Sequence, residues 1–296
     1  MKEAGDDTMP ELPEVESARR GIAEQLVGRT VTGYELSLPK LIVAENGLSL
    51  DDLVGRRLTE AQRFGKYLLL TFEPFSVVIH LKLSGQLIAR GSGIPGFAAG
   101  HPVPAYDAPM PHKSTHLRLD FEGDAHLYLT DIRHFARVWL MPHAAVPEYL
   151  ASLKLGADLL SPEFTAKYLA ERLKRRPASK IKPALLDQSV IAGVGNIYAD
   201  ESLWQAKLHP ERLVGSLTPA EIKRLYQGII TSIELALPTG GARILNTKAQ
   251  PEVGEFPFVH GREGLPCPRC GGIIIKTRVN NRGTYLCPRC QRLPKA

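Results

Sequence analysis

The chain has 296 residues, of which 44% are apolar and 23% charged, a composition typical of a globular protein with a substantial core. This length is enough for two domains and a small third module. No apolar run approaches the roughly 18 residues of a membrane span, and the polar start does not resemble a signal peptide, so we expect a cytoplasmic protein. The net charge of +6 favours a polyanionic partner without identifying it.

The first predicted element is an amphipathic helix that begins within the segment Pro-Glu-Leu-Pro-Glu-Val-Glu, residues 10–16. Pro13 suits the first turn of a helix, and the carboxylates of Glu14 and Glu16 suit its positive end. An apolar stripe follows at helical spacing and comprises Val15, Ala18, Ile22 and Leu26.

The chemistry of Pro10 depends on where translation starts. If Met9 is the first residue, removal of that methionine leaves Pro10 with a nucleophilic secondary amine. If translation starts at Met1, the same nitrogen lies in a peptide bond and is inert. Methionine aminopeptidase acts before small residues such as proline but not before Lys2, so processing at Met1 does not expose Pro10. We therefore expect residues 1–9 to be a start-site artefact.

Residues 31–141 contain short strand-like runs separated by Gly and Pro, which is typical of a β-sandwich or barrel. The clearest predicted strands are residues 67–72, 77–81, 116–121, 126–129 and 136–140. The intervening stretch 91–112 is rich in Gly, Pro and Ala, and we predict a mobile loop there.

After about residue 142 the pattern becomes helical. Thr218 and Glu221 form a predicted capping box with Pro219 at the first helical position. The helix that follows has an apolar face comprising Ile222, Leu225, Ile229, Ile233 and Leu237. Residues 242–263 show little periodicity and are predicted to be a loop.

All four cysteines lie in two Cys-Pro-Arg-Cys turns, Cys267 with Cys270 and Cys287 with Cys290, sixteen residues apart. This spacing matches a tetrahedral site for one structural Zn²⁺, because four thiolates leave no open position for water. Two disulfides are the alternative, but these are rare in a reducing compartment. The segment between the turns predicts a hairpin with strands 273–279 and 284–286.

Three segments together resemble the formamidopyrimidine-DNA glycosylase family, bifunctional base-excision enzymes related to endonuclease VIII. They are residues 10–16, the run Gly-Val-Gly-Asn-Ile-Tyr-Ala-Asp-Glu-Ser-Leu at 193–203, and the four-cysteine ribbon. The resemblance covers residues 9–292 and implies an α+β multidomain protein. Its expected parts are an N-terminal extension (1–9), a β-sandwich catalytic domain with an N-terminal helix (10–144), a helix–two-turn–helix domain (145–261) and a zinc ribbon (262–296).

The resemblance implies three catalytic residues. Pro10 attacks the sugar C1′ and forms a cationic iminium, which acidifies the C2′ proton and makes phosphate elimination easy. Glu11 is the expected general acid/base, with a purely helix-capping carboxylate as the alternative. Lys66 matches the family's active-site lysine, although a lysine that enters a strand is unremarkable without the resemblance.

The same resemblance implies residues that hold duplex DNA with a damaged base or an abasic site. A damaged base must leave the stack before it can react. Arg133 is expected to pair with the orphaned base, and Phe135 to fill the gap, with a buried strand phenylalanine as the alternative for Phe135. A second loop offers Leu83 as a wedge. Phosphate contacts are expected from His116, Asn196 and Arg282.

Some positions depart from the family pattern. Leu83 stands where a methionine is usual, and leucine has a similar volume, so we expect the wedge to be retained. Ser114 stands where a histidine is common, and Ala136 replaces a glycine. Residues 240–261 are short and lack signals of the loop that closes over 8-oxoguanine. Glu201 is expected to tie down its own turn.

We therefore predict a monomeric glycosylase and lyase for oxidised purines, formamidopyrimidines first. Leu12 in Pro-Glu-Leu-Pro-Glu favours this over an endonuclease VIII-like preference for oxidised pyrimidines. A catalytically silent DNA-binding protein is the third hypothesis, should the N-terminal residues block Pro10.

Overall fold

The computed structural model describes residues 9–242 and 254–294. The expectations for residues 1–8, and for residues 243–253 of the loop between 240 and 261, lie outside these ranges. The chain divides into two compact units, with the boundary after Leu153. Within the described ranges, no helix combines the length and the hydropathy needed to cross a membrane.

The N-terminal unit is a β-sandwich of two five-stranded sheets preceded by a helix, as predicted. The sheet orders are β1-β8-β9-β6-β7 and β2-β10-β5-β4-β3. Its elements are α1 (Leu12–Gln25), β1 (Val31–Leu36), β2 (Ile42–Ala44), β3 (Glu60–Phe64), β4 (Tyr67–Phe72), β5 (Phe75–His80), β6 (Gly85–Arg90), β7 (Phe97–Gly100), β8 (Thr115–Phe121), β9 (Ala125–Asp131), β10 (Arg137–Pro142) and α2 (Val146–Ser152).

The core lies between the sheets because alternate side chains of each strand point inward. On β4 the inward positions are Leu68, Leu70 and Phe72, all buried in the shared apolar cluster. Helix α1 contributes its predicted apolar stripe to the same cluster.

Helix α2 packs against the sandwich and belongs to the same unit. Val146 is buried in a small cluster with Leu69, Val78 and Met141, which lie on the outer face of the sheet. The boundary between the two compact units therefore follows α2 at residue 153. A catalytic domain that ends at residue 144 stays a prediction.

The prediction of a loop throughout residues 91–112 is wrong for Phe97–Gly100, which forms β7 at a sheet edge and pairs with β6. This strand has too little apolar alternation to be recognised, and packing against α1 stabilises it. Gly21 of α1 makes that packing possible, since a Cβ at this position would lie 2.5 Å from the Phe97 ring.

The second unit contains α3 (Ala166–Lys174), α4 (Ile181–Leu186), α5 (Asn196–Gln205), α6 (Pro219–Ala236), β11 (Ile275–Val279) and β12 (Arg282–Leu286). Helices α4 and α5 flank the turns of the predicted helix–two-turn–helix. The capping box of Thr218 and Glu221 opens α6, as expected. Of its predicted apolar face, Leu225, Ile229 and Ile233 are buried.

The ribbon hairpin is tighter than its sequence suggests. Asn280 and Asn281 alone connect β11 to β12, with φ angles of 46° and 61°. Two consecutive positive φ values are characteristic of the two-residue hairpin turn that matches strand twist, and asparagine tolerates them. Arg282 consequently begins β12 opposite Val279.

Candidate functional site

Pro10 and Glu11 are both buried directly before the first turn of α1. Glu11 is the N-cap residue, and its backbone N–H donates to the Glu14 carboxylate at 3.0 Å within a capping box. Glu14 therefore has the structural role predicted for it, which is to satisfy a backbone donor that the helix leaves without an intrahelical partner. The capping box fixes the backbone directly after Pro10.

Glu16 ties α1 to the turn that carries Lys66. Arg63 of β3 donates from Nε to Glu16 at 3.1 Å and from Nη1 to the Gly65 carbonyl at 2.8 Å. Lys66 follows Gly65 directly and is only 4% exposed. No role was predicted for Arg63, and its contacts are structural, since it links the helix start to the β3–β4 turn.

The Glu16 carboxylate is strongly favoured in its charged form. Burial alone would raise its pKa, but hydrogen bonds from Arg19, Arg20 and Arg63 outweigh burial and lower the pKa to about 2. Because the folded pKa lies below the ordinary 4.5, the resulting stabilisation is fully present above about pH 4.5 and is lost as the pH falls towards 2.

Replacement of this carboxylate should therefore change how stability depends on pH. We expect Glu16→Gln to lower the free energy of unfolding by about 2–3 kcal/mol at neutral pH, with a shrinking difference below pH 4.5. Urea unfolding at a series of pH values measures this. Glu24→Gln, at an exposed position of the same helix, is the matched control. Equal effects of the two variants at every pH would contradict the assigned role.

A histidine that the sequence analysis missed lies beside Lys66. His80 ends β5, pairs in register with Tyr67, and packs edge-on against the Tyr67 ring at 4.4 Å. Burial lowers its pKa to about 3, and the charges of Lys82 and Lys66 add to the effect, so the ring is neutral near pH 7. Its Nδ1 accepts the Lys82 N–H at 2.9 Å. Only its place immediately before the Leu83 loop could have signalled it.

The predicted wedge residues lie on loops of the sandwich unit. Phe135 is 46% exposed and belongs to the β9–β10 loop, so the alternative of a buried strand phenylalanine is not supported. Arg133 is exposed on the same loop, with its guanidinium carbon 5.7 Å from the Phe135 ring centroid. Leu83 lies half-buried in the β5–β6 loop. A cationic and two apolar side chains are thus available for insertion.

His116 is buried and bonds to protein groups, whereas a phosphate contact would need a ring nitrogen open to DNA. The residue is 7% exposed, and its Nε2 lies 2.8 Å from the Asp131 carbonyl. A carbonyl only accepts, so Nε2 carries the proton and donates. Nδ1 lies 3.4 Å from the Ser37 hydroxyl, and the ring packs edge-on against His134 at 4.6 Å. These contacts make His116 a support for the Arg133–Phe135 loop, and a phosphate contact through it remains a prediction.

In the second unit, the structure brings Asn196 and the ribbon turn together. Asn196 begins α5, and its Nδ2 donates to the Gly283 carbonyl at 3.0 Å. The buried Lys182 also donates to that carbonyl at 2.8 Å, and to Asp200 at 2.7 Å. Arg282 is exposed at the tip of the hairpin beside these contacts. The helix start and the hairpin tip therefore form one hydrogen-bonded surface.

Glu201 ties down a chain segment distant in sequence, which extends the local role expected for it. Its buried carboxylate accepts the backbone N–H groups of Phe258, Val259 and His260 at 2.8–2.9 Å. Three donors satisfy a carboxylate that would otherwise be costly to bury. The contact fixes the segment that leads into the ribbon.

The four cysteines fit a zinc ion. Their Sγ atoms all lie within 4.8 Å of one another, and Cys267–Cys290 and Cys270–Cys287 are 3.9 and 3.5 Å apart. A tetrahedral zinc with Zn–S bonds of about 2.3 Å would set its sulfurs about 3.8 Å apart. These separations are far longer than the roughly 2 Å of a disulfide. The Trp204 Nε1–H donates to the Cys267 sulfur at 3.4 Å, a contact that suits a thiolate ligand.

The features described above are a buried helix start linked to the Lys66 turn, exposed loops that carry Arg133 and Phe135, a helix–two-turn–helix and a four-thiolate ribbon. Together they define a class of DNA glycosylases with lyase activity. The family models agree. The formamidopyrimidine-DNA glycosylase N-terminal domain matches residues 9–138, its H2TH domain matches 155–247, and the zinc finger found in FPG and IleRS matches 264–293.

Similar proteins extend over almost the whole chain. Formamidopyrimidine-DNA glycosylases of Pelotomaculum thermopropionicum and Heliobacterium modesticaldum are 38% and 39% identical, over 96% of this chain and 100% of theirs. Crystal structures of the Lactococcus lactis enzyme with Fapy-dG DNA and with abasic-site DNA give TM-scores of 0.82 and 0.81 at 33% and 32% identity, again covering 96% of this chain and 100% of theirs. The chain belongs to the formamidopyrimidine-DNA glycosylase family.

Proposed function

We propose that this protein is a base-excision repair enzyme that removes oxidised purines from double-stranded DNA and then cleaves the strand at the abasic site. The observation that carries the proposal is the position of Pro10, immediately before the buried N-cap Glu11 and at the second residue of the family match. The match to the N-terminal domain of the family begins at Met9, directly before Pro10.

Pro10 acts as the nucleophile once Met9 has been removed. A free α-amino group has a pKa of about 7.7–8.0, so a useful fraction is unprotonated near neutral pH. Its nitrogen attacks C1′ and displaces the damaged base, which leaves with the glycosidic electron pair. The amine nitrogen loses its proton, the C1′–O4′ bond then breaks as O4′ takes up a proton, and the nitrogen lone pair forms the double bond of an iminium. This iminium has no N–H, so its positive charge cannot be lost by deprotonation at nitrogen. It withdraws electrons from C2′, so that the C2′ proton departs and the 3′ phosphate is eliminated.

Glu11 and Lys66 assist this chemistry from the same unit. Glu11 donates a proton to the sugar ring oxygen or the departing base, and its carboxylate then accepts protons during elimination. Lys66 engages a phosphate, and the Glu16–Arg63–Gly65 contacts hold its turn against α1. The burial of both residues supports their roles, because electrostatic interactions are stronger where water is excluded.

The wedge and phosphate residues present the damaged nucleotide. Leu83 and Phe135 fill the space that the everted nucleotide leaves, and Arg133 hydrogen-bonds to the orphaned base. Asn196 and Arg282 hold phosphates, which position DNA without reading its sequence. The hydrogen bond from Asn196 to the hairpin that contains Arg282 supports the phosphate role of these two residues. The exposure of Phe135 and Arg133 supports their role in filling the space of the everted nucleotide.

Formamidopyrimidines are the expected first substrates, with 8-oxoguanine a further candidate. Borohydride trapping on oligonucleotides with formamidopyrimidine, 8-oxoguanine, thymine glycol or an abasic site tests the nucleophile and ranks the lesions together. Preferential cross-linking to thymine glycol would instead support the endonuclease VIII-like hypothesis. Binding to every oligonucleotide without any cross-link would support the silent DNA-binding hypothesis.

Glu11→Gln should separate base excision from reaction at an abasic site. We expect excision of formamidopyrimidine to fall by about 10²–10⁴-fold, the usual contribution of a positioned acid or base, while binding to abasic DNA persists. Single-turnover excision and equilibrium binding measure the two. Glu14→Gln is the matched control because it alters the other member of the capping box. An equal loss in both variants would assign Glu11 a capping role alone.

We further propose that the enzyme acts as a monomer in the cytoplasm, at the nucleoid through its DNA. Sedimentation of the purified protein at micromolar concentration tests the first point. The relatives described above are bacterial, which supports the second.

A further inference from the structure

The two loops that carry the wedge residues meet at one buried carboxylate. Asp131 is the last residue of β9 and is fully buried. Its Oδ1 accepts the Arg133 N–H at 3.0 Å, and its Oδ2 accepts the Phe135 and Ala136 N–H groups, both at 2.7 Å. Three backbone donors of one short loop thus converge on one side chain. This arrangement holds the backbone from which the Arg133 and Phe135 side chains project.

Asp131 also binds the other loop. The Ser84 hydroxyl, next to Leu83 in the β5–β6 loop, donates to Asp131 Oδ1 and is itself fully buried. The loop is short: the Gly85 N–H donates to the Leu81 carbonyl at 2.9 Å, and a Cβ on Gly85 would lie 2.5 Å from that oxygen. The positions of Leu83 and of the Asp131 carboxylate are therefore linked through a single hydrogen bond.

The backbone of Asp131 is equally well held. Its N–H donates to the Ser114 carbonyl at 2.9 Å, and its carbonyl accepts from His116 Nε2 at 2.8 Å. In the sheet, Asp131 pairs in register with Gly85, the residue after Ser84. The junction is consequently part of the sheet, and the wedge loops are its extensions.

We propose that Asp131 is a positioning residue that couples the Leu83 loop to the Arg133–Phe135 loop, so that the three side chains enter the duplex as one preassembled unit. The proposal rests on the insertion role given to these side chains above. Asp131 is buried and acts only through the loops. Holding them before DNA binds removes an ordering cost that separate loops would bear at the moment of insertion.

Ser84→Ala tests the coupling because it removes the bond between the loops and leaves the three backbone contacts of Asp131 in place. We expect single-turnover cleavage at an abasic site in duplex DNA to slow by about tenfold, which corresponds to one hydrogen bond to a carboxylate. Cleavage of single-stranded abasic DNA, which needs no insertion, should keep its rate. Ser76→Ala is the control: Ser76 is equally buried, but bonds to His143 at 2.8 Å away from the loops.

Double-mutant cycles provide the second measurement. With Ser84 present, the effects of Leu83→Ala and Phe135→Ala on the duplex rate should be non-additive, because the side chains act as a unit. In the Ser84→Ala background the two effects should become additive. Asp131→Asn should slow duplex cleavage more than Ser84→Ala, because an amide cannot accept all four hydrogen bonds.

The outcomes separate this inference from the proposed function. Equal duplex rates for Ser84→Ala and wild type, or additivity in both backgrounds, would overturn the coupling while leaving the lyase intact. An equal loss on duplex and single-stranded DNA would also overturn it, since the effect would then not concern insertion. A wild-type protein that begins at Pro10 and cleaves neither substrate would instead overturn the proposed function.

Discussion

Protein that begins at Pro10 will become covalently trapped on abasic DNA in the presence of borohydride, and protein that retains residues 1–9 will give only background. In the longer protein the Pro10 nitrogen is an amide, whose lone pair is delocalised into the carbonyl and cannot attack C1′. Only the shorter protein has a nucleophilic nitrogen at Pro10, so we expect this difference in trapping to be the largest effect of any change to this chain. Gel quantification of cross-linked oligonucleotide measures it.

The pH dependence of trapping identifies the nitrogen. Attack needs the unprotonated amine, so the initial rate should rise with pH and level off above about pH 8, near the pKa of an α-amino group. A lysine nucleophile with an ordinary pKa of about 10.4 would instead give a rate that still rises at pH 9. Lys66→Ala in the protein that begins at Pro10 is the control, and it should still be trapped.

Pro10→Gly refines the same prediction. Glycine at the N-terminus supplies a primary amine, so the imine it forms can lose its proton and with it the charge that acidifies C2′. We expect this variant to lose most strand scission while it still gives some borohydride trapping. N-terminal sequencing of active enzyme made from the native transcript completes the test, and Met1 or Lys2 at its N-terminus would refute the mechanism.

Much of the fold could be predicted because it depends on local patterns. The apolar stripe of α1, the alternation in β8 and the capping box of α6 each follow from side-chain periodicity or from helix-end chemistry. The four-thiolate ribbon follows from spacing alone. In such segments, the local pattern and the tertiary packing specify the same structure.

The features that could not be predicted depend on contacts between distant residues. Strand β7 exists because Gly21 leaves room for Phe97, which no pattern near residue 97 indicates. Likewise, a histidine such as His116 is chemically able to bind a phosphate, but its position on β8 directs its Nε2 to the Asp131 carbonyl. The sequence therefore identified candidate residue types, while their neighbours were determined by the pairing of β6, β8 and β9.

Removal of zinc will unfold the ribbon and leave the sandwich unit folded. Zinc binding in small ribbons contributes about 10–16 kcal/mol of apparent folding free energy, more than so short a segment can supply by packing. Here the cysteines also complete a small core, in which Cys267 and Cys287 pack with Val259, Ile274 and Tyr285. We expect Cys290→Ser to lose the bound metal, and metal analysis should fall from one zinc per chain to a trace.

Hydrogen exchange should locate the damage. Backbone amides of β11 and β12 should exchange much faster in Cys290→Ser than in wild type, while those of β4 and β5 keep their protection, since all four cysteines lie in the ribbon. Thr277→Ser, at an exposed position on β11, is the matched control.

Loss of the ribbon should also weaken DNA binding without blocking the nucleophile. Arg282 and the Gly283 carbonyl that Asn196 binds both belong to the hairpin, so an unfolded ribbon releases both ends of this surface. Affinity for duplex DNA should fall by at least about tenfold, whereas Pro10 should still be trapped at high concentrations of abasic DNA. Trp204, which donates to Cys267, offers a fluorescence signal for the same transition. A metal-free protein with wild-type exchange in β11 and β12 would show that the thiolates do not require zinc to hold the ribbon.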